Sequence, residues 1–403
     1  MPKLKKELNL FQLTVISVGI ILGAGIYALI GAAAATGGNA IWISFLISAF
    51  IALFTGLTYA EISSYFQGNA GEYDYVAKAF NKKFGFIIGV SMIFIAIITS
   101  STVALGFAGY FTTLMPVPYL VSAILIILLM TFINFIGIKQ SSLFNLFSTL
   151  VEFIGLIIII VIGFKYFGTV NLLEMPQGVT GLFSSAALVF FAYIGFESLV
   201  KLKEETKNPD KTLPKAIILS IIITSILYVL VAISAVSVVG WDVLSKSSAP
   251  LSLVAKTVLG SFSGRLLAVI ALFSTSNTIL IGLVTASRQM YGMAKEKSLP
   301  KFLTVVHKRT RTPLFAVYIS AAITILFALI GDVALVANLA NILLFITFAV
   351  VNLSLIVLRY KMEPIKGKFR CPINIGRFPI ISLLGFITSL AMIVFIFWGF
   401  IGL

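Results

Sequence analysis

The chain has 403 residues, 60% of them hydrophobic and 11% charged, with a mean hydropathy of +1.11. That balance excludes a soluble globular domain and points to an integral membrane protein. The formal net charge is +15, but the basic residues are scattered over short segments between apolar runs, which argues against nucleic acid as a partner. One cysteine, Cys371, excludes an internal disulfide, and one histidine, His307, leaves no histidine cluster for a metal.

The first apolar run follows Met1 to Glu7. It is too long for a signal-peptide core and is not followed by a cleavage site and a soluble region, so it is expected to stay in the protein. Eleven runs long enough to cross a bilayer, which takes roughly 20 residues, are expected at 10–35, 40–65, 84–112, 118–137, 143–165, 180–201, 214–240, 264–292, 313–331, 334–358 and 379–401. Little is left between them, so the expectation is one membrane domain over 1–403.

With the amino terminus in the cytoplasm, 25 of the 29 basic residues fall on inner segments, leaving Lys165, Lys246, Lys256 and Arg265 outside. Lys3, Lys5 and Lys6 lead the inner set and Lys366 and Lys368 lie near its end. The net charge is then a record of the positive-inside rule. The carboxyl terminus is expected to face outward.

The first span contains GIILGAGIYALIG, Gly19 to Gly31. Glycine inside a helix costs about 1 kcal/mol against alanine, so four in one span ask for a reason. Gly19 and Gly23 alone make a Gly-x-x-x-Gly packing face. The sixth span is interrupted in turn by Ala192-Tyr193-Ile194-Gly195. Two interrupted helices five spans apart are the pattern of transporters built from inverted repeats, with the binding site at the unwound segments.

Most acidic residues lie between spans. Glu61 and Glu197 lie near inner helix ends, within reach of the interface or of loop lysines, and are read as structural. Glu152 lies about 13 Å into the fifth span at 1.5 Å per residue, too deep for a short carboxylate to reach headgroups. It is read as functional, the alternative being a protonated acid bonded to a neighbouring helix.

Several motifs in order resemble the amino acid permeases of the amino acid-polyamine-organocation superfamily. They are GAGIY (Gly23 to Tyr27), YAEISSYF with AGEYDYV, FFAYIGFES (Phe190 to Ser198), KEETKNPDKTLPKAI (Lys203 to Ile217), SRQMYGMAKEKSLPKF (Ser287 to Phe302) and TPLFAV (Thr312 to Val317). The resemblance implies an all-α membrane protein with the five-plus-five inverted repeat (LeuT-type) transporter fold. Repeat one would cover about 10–165 and repeat two about 180–358, with an extra helix at 379–401. Many members have twelve helices, so the eleventh ends this chain early and leaves oligomer contacts open.

The resemblance also implies a secondary amino acid transporter of the cell membrane. Its substrate-binding residues would be Gly23, Ala24, Gly25 and Ile26, offering N–H groups to a carboxylate at a half-helix amino terminus. Phe191, Ala192, Tyr193 and Gly195 would offer carbonyls to the ammonium, with Phe191 or Tyr193 closing over the site. For coupling, relatives with a lysine in the fifth span use a proton, and Glu152 stands near that place here. Burial favours a neutral carboxylic acid, so a transported proton is expected. A sodium site formed with Ser276 or Asn277 is the alternative. No cofactor is expected. A polyamine or organic cation exchanger, and an antiporter without ion coupling, are the other readings; an enzyme lacks a nucleophile with its base, or a metal set.

Overall fold

The computed structural model describes residues 8–66, 71–363 and 369–401, so the inner basic residues Lys3, Lys5, Lys6, Lys366 and Lys368 lie outside the described residues. The first predicted span is divided into α1 (Leu10–Ile21) and α2 (Gly25–Gly37). Asn9 and Gln12 form a reciprocal capping box that starts α1, satisfying two amide groups that a helix start leaves over. Then come α3 (Ile41–Ile62), the short α4 (Glu72–Ala79), α5 (Lys82–Thr112), α6 (Tyr119–Ile136) and α7 (Ile138–Gly163).

The sixth predicted span holds α8 (Gly178–Val189), a 3-10 turn over Phe190–Tyr193, and after Ile194 and Gly195 a longer 3-10 segment, Phe196–Glu205. The rest is α9 (Pro209–Val239), α10 (Trp241–Ser245), α11 (Pro250–Leu259), α12 (Ser261–Lys295), α13 (Leu314–Ala328) and α14 (Val333–Lys361). A two-stranded ribbon, β1 (Asn374–Ile375) and β2 (Phe378–Pro379), leads into α15 (Ile380–Ile401).

Among the described residues, nine helical stretches are long and apolar enough to cross a membrane, while α1, α11 and α13 are shorter apolar helices. The chain is thus a multi-pass membrane protein, in which helices keep every backbone group bonded within the hydrocarbon. Every predicted run carries helix; α4, α10 and α11 lay outside the prediction. The helix of Glu152 begins at 138, not 143, which sets that residue a further turn and a half inside.

Pairs α5 with α12, α3 with α9, α14 with α15 and α1 with α9 make extensive contacts. One end of the bundle gathers the start of α1, the end of α3, α4 and the ends of α12 and α14. There Leu8 pairs with Thr206 in a parallel bridge, and Lys203 Nζ donates to the carbonyls of Ser63 and Phe66 at 2.6 and 2.8 Å, where helix carbonyls favour a cation. We term this the basic end. At the opposite end Glu174 accepts hydrogen bonds from Asn39 Nδ2 (2.8 Å) and Trp241 Nε1 (3.0 Å), tying the 164–178 connection over the α2–α3 corner and α10.

Glu61 is held differently from the expectation. Its carboxylate, 1% exposed, accepts two bonds from Arg359 of α14, Nε to Oε1 at 2.7 Å and Nη2 to Oε2 at 2.6 Å. Oε2 also accepts the Cys371 N–H at 2.6 Å. The partner is therefore a buried arginine and not a loop lysine, and the pair clasps the ribbon before α15 against α3. Burial, then the neighbouring Glu61 carboxylate, holds the Cys371 thiol well above the ordinary thiol range. Because only the thiolate reacts, Cys371 in the folded protein should resist maleimide at pH 8 and label rapidly after denaturation, as mass spectrometry of intact protein would read.

Candidate functional site

The two interruptions face each other. Residues Leu22 to Ala24 lie between α1 and α2, and Leu22 is extended at φ −60°, ψ 110°. Gly25 opens α2 in direct contact with the other break: a Cβ on it would lie 2.7 Å from Ala192 Cα and 2.9 Å from Ala192 Cβ. Gly195 has φ 126°, a conformation that L side chains rarely adopt, and packs against Ile20. Tyr228 of α9 joins both segments, its hydroxyl lying 3.0 Å from the carbonyl oxygens of Ile21 and Ala192 and donating to both in a three-centre bond.

Between the breaks, α5 and α12 lies a cavity of about 150 Å³. Of the expected residues, Gly23, Ala24, Gly25, Phe191, Ala192, Gly195 and Asn277 line it. The first-turn N–H groups of Gly25, Ile26 and Tyr27 have no acceptor within their own helix, and the Ala24 N–H donates to Thr278 Oγ1 at 3.1 Å. Ile26 is already helical and turned into the core.

Tyr193 does not line the cavity. Its hydroxyl donates toward the Phe45 carbonyl (3.0 Å) and Ser225 Oγ (3.1 Å), so the ring is tied back between α3 and α9. Phe191 is the aromatic residue of this segment on the cavity wall. Glu197, read as structural, is a wall residue too: its Oε2 accepts the Gly195 N–H at 2.8 Å, capping the 3-10 segment beyond the break.

Glu152 and Ser276 lie outside the lining. Glu152 is 1% exposed and, among the described residues, neither carboxyl oxygen is within hydrogen-bonding geometry of a partner. The backbone carbonyl of Glu152 accepts the Tyr27 hydroxyl at 2.9 Å. The α12 side chain beside the carboxyl is Ser274; Ser276, two residues on, projects about 200° around the helix from it. Ser148 Oγ, Ser274 Oγ and Asn277 Oδ1 are also buried without partners among the described residues. Asn277 Nδ2 donates to Asn145 Oδ1 at 2.9 Å. A band of oxygen acceptors and hydroxyls therefore lies where α7 meets α12, next to the first break.

Residues that sequence reasoning missed complete the wall. Met92, Ile95, Ala96 and Thr99 come from one face of α5, and Thr278, Ile281 and Thr285 from one face of α12. Their three- and four-residue spacing marks a helix face, but an all-apolar helix hides which face is inward. A second cavity of about 560 Å³ shares Met92, Ser198, Thr285 and Gln289 with the first and runs on between α4, α5 and α12 toward the basic end. On the side of α2 the two breaks meet at the Gly25–Ala192 contact, and beyond it the Tyr110 hydroxyl donates to the Tyr27 carbonyl at 3.0 Å. Among the described residues no group of His, Cys, Asp and Glu is arranged to hold a metal.

Three relatives bear on this geometry. The chain is 30% identical to the branched-chain amino acid permease BcaP of Bacillus subtilis (strain 168), over 98% of this chain and 89% of that protein. It is 30% identical to the methylthioribose transporter of the same organism, over 94% and 86%. It is 27% identical to cationic amino acid transporter 1 of Arabidopsis thaliana, over 89% of this chain and 63% of that longer protein. Residues 8–402 match the family model described as amino acid permease, and the chain belongs to that family.

Proposed function

We propose that this permease is a secondary transporter of amino acids working by alternating access, with the five-plus-five inverted repeat over 10–165 and 180–358 and one further helix at 379–401. The observation that carries this is the meeting of two interrupted helices, five spans apart, at a cavity that continues toward one end and is bounded by the Gly25–Ala192 contact. Positive-inside counting supports a cytoplasmic basic end, which, for a permease of the cell membrane, makes the conformation described inward-facing. All three relatives are named as transporters or permeases, which speaks against an enzyme.

In this reading the substrate carboxylate takes the N–H groups around Gly23 and Gly25, at the positive end of α2. The ammonium takes second lone pairs of carbonyls between Phe191 and Gly195. Such backbone contacts read what all amino acids share. The side chain meets Met92, Ile95, Ile281 and Phe191, and Glu197, the one carboxylate on the wall among the described residues, is engaged by Gly195. That wall favours a neutral amino acid with an apolar side chain, in the sense of the BcaP name. It gives a polyamine or cation exchanger little support, because Glu152 lies outside the lining. In uptake of labelled leucine, isoleucine and valine should compete and lysine should not; equal competition by lysine would contradict the apolar wall.

Glu152 is the proposed carrier of a coupled proton, since an isolated carboxylate is costly in this surrounding and a carboxylic acid is not. The neighbouring Ser148, Ser274 and Asn277 oxygens favour a sodium ion as the second reading, with Ser274 in the place expected for Ser276. Glu152→Gln should abolish uptake driven by a pH gradient while leaving leucine exchange. Full pH-driven uptake in Glu152→Gln would refute the proton role; loss of wild-type uptake on sodium removal would support the ion. Exchange insensitive to both gradients would mean an antiporter without ion coupling.

A further inference from the structure

The second cavity, between the substrate cavity and the basic end, holds two side chains that each keep one buried polar atom without a partner among the described residues. Arg288 and Gln289 are consecutive on α12 and both line it. Arg288 is half-buried, but its Nη1 is shut off from solvent and has no acceptor among the described residues, although Glu72, Asp74 and Glu296 line the same space. Gln289 Oε1 is also buried without a donor, and Gln289 borders both cavities. Unpaired polar atoms withdrawn from water are expensive, and doubly so on a cation. Native proteins keep them where something else supplies the partner.

The chemistry of that partner follows from the two groups. A guanidinium matches a carboxylate, and an amide oxygen matches an N–H donor. An α-amino acid carries both on adjacent atoms. The acidic residues in the same wall disfavour a plain anion and suit a zwitterion. Helical side chains lean toward the helix start, which on α12 is toward Thr278 and the breaks. Ten residues separate Thr278 from Arg288, about 15 Å of helix, with Gln289 at the border of the two cavities.

We infer that Arg288 and Gln289 form a second amino acid site in the vestibule, with Arg288 taking the carboxylate and Gln289 Oε1 the ammonium. Substrate passes through it between the central cavity and the basic end. The inference rests on the transporter reading above, with leucine as the probe or whichever amino acid of a labelled panel the wild type carries.

The test uses full-length protein in sided proteoliposomes, with half-saturation measured separately from each end. In Arg288→Gln the ratio of the basic-end to the opposite-end value should rise by about tenfold or more, as loss of a charge-assisted hydrogen bond predicts. Arg288→Lys should recover much of it by keeping the charge. Equilibrium binding to purified wild type should need two components, and Arg288→Gln should lose the weaker one. A ratio unchanged in Arg288→Gln, or single-component binding in the wild type, would overturn the second site; an unchanged ratio would leave Arg288 to the inner membrane surface. Failure of the transporter reading is distinguishable, because wild-type protein would then carry no amino acid at all.

Discussion

Gly25→Val should insert normally and lose substrate binding by at least about tenfold, the scale on which overpacking by 1–3 kcal/mol acts. The reason is local. A single Cβ at Gly25 would already sit 2.7 Å from Ala192 Cα, and backbone cannot swing aside as a flexible side chain can. The two unwound segments must separate, and the cavity between them loses its shape. Gly23 provides the control, because a Cβ there would stand 3.4 Å from Thr278 Oγ1, its nearest neighbour, which is ordinary contact. Gly23→Ala should therefore retain substantially more binding than Gly25→Ala in parallel titrations on protein with matching size-exclusion profiles. Equal losses at the two positions would show that the Gly25–Ala192 approach does not shape the site.

Glu61→Ala should destabilise the protein by about 3–5 kcal/mol, the cost of leaving a buried charge without its partner. Arg359 is 1% exposed, and its guanidinium is oriented by both Glu61 oxygens. The same change strips the Cys371 N–H of its acceptor and frees the ribbon before α15. The pair itself contributes far less than that loss suggests, because removing two charges from water offsets much of their attraction. Glu61→Met combined with Arg359→Met should therefore be clearly more stable than Glu61→Ala alone, read by thermal unfolding in detergent. A Glu61→Ala protein as stable as wild type would mean that the ion pair is solvated and not a buried clasp.

Both predictions turn on residues that the sequence marks unevenly. The breaks were legible because glycine clusters stand out in an apolar run and because the two occur five spans apart, although α2 starts at Gly25 and so takes Gly25 and Ile26 back into a helix. Glu152 was legible from depth alone. Glu61 and Glu197 were not, because distance along the chain does not say which helix packs opposite: Arg359 lies 298 residues from Glu61. The direction of Tyr193 was equally hidden, since Phe191 and Tyr193 are both aromatic, residues two apart point to opposite sides of a helical turn, and only packing decides which of them meets the cavity and which meets Phe45. Ser274 was missed for Ser276 because the register of α12 against α7 is set by packing, not by local preference. The wall of α5 was invisible for a related reason. In lipid an outward face is as apolar as an inward one, so periodicity stops reporting burial.

The central claim is that the meeting place of the two broken helices carries amino acids across the membrane. Counterflow in proteoliposomes, with purified protein and a panel of labelled amino acids, tests it without assuming any coupling ion. Leucine, isoleucine or valine should accumulate transiently against an internal pool of the same compound, and Gly25→Val should lose that accumulation. Absence of counterflow for every amino acid in the panel, from protein that is folded and inserted, would contradict the claim.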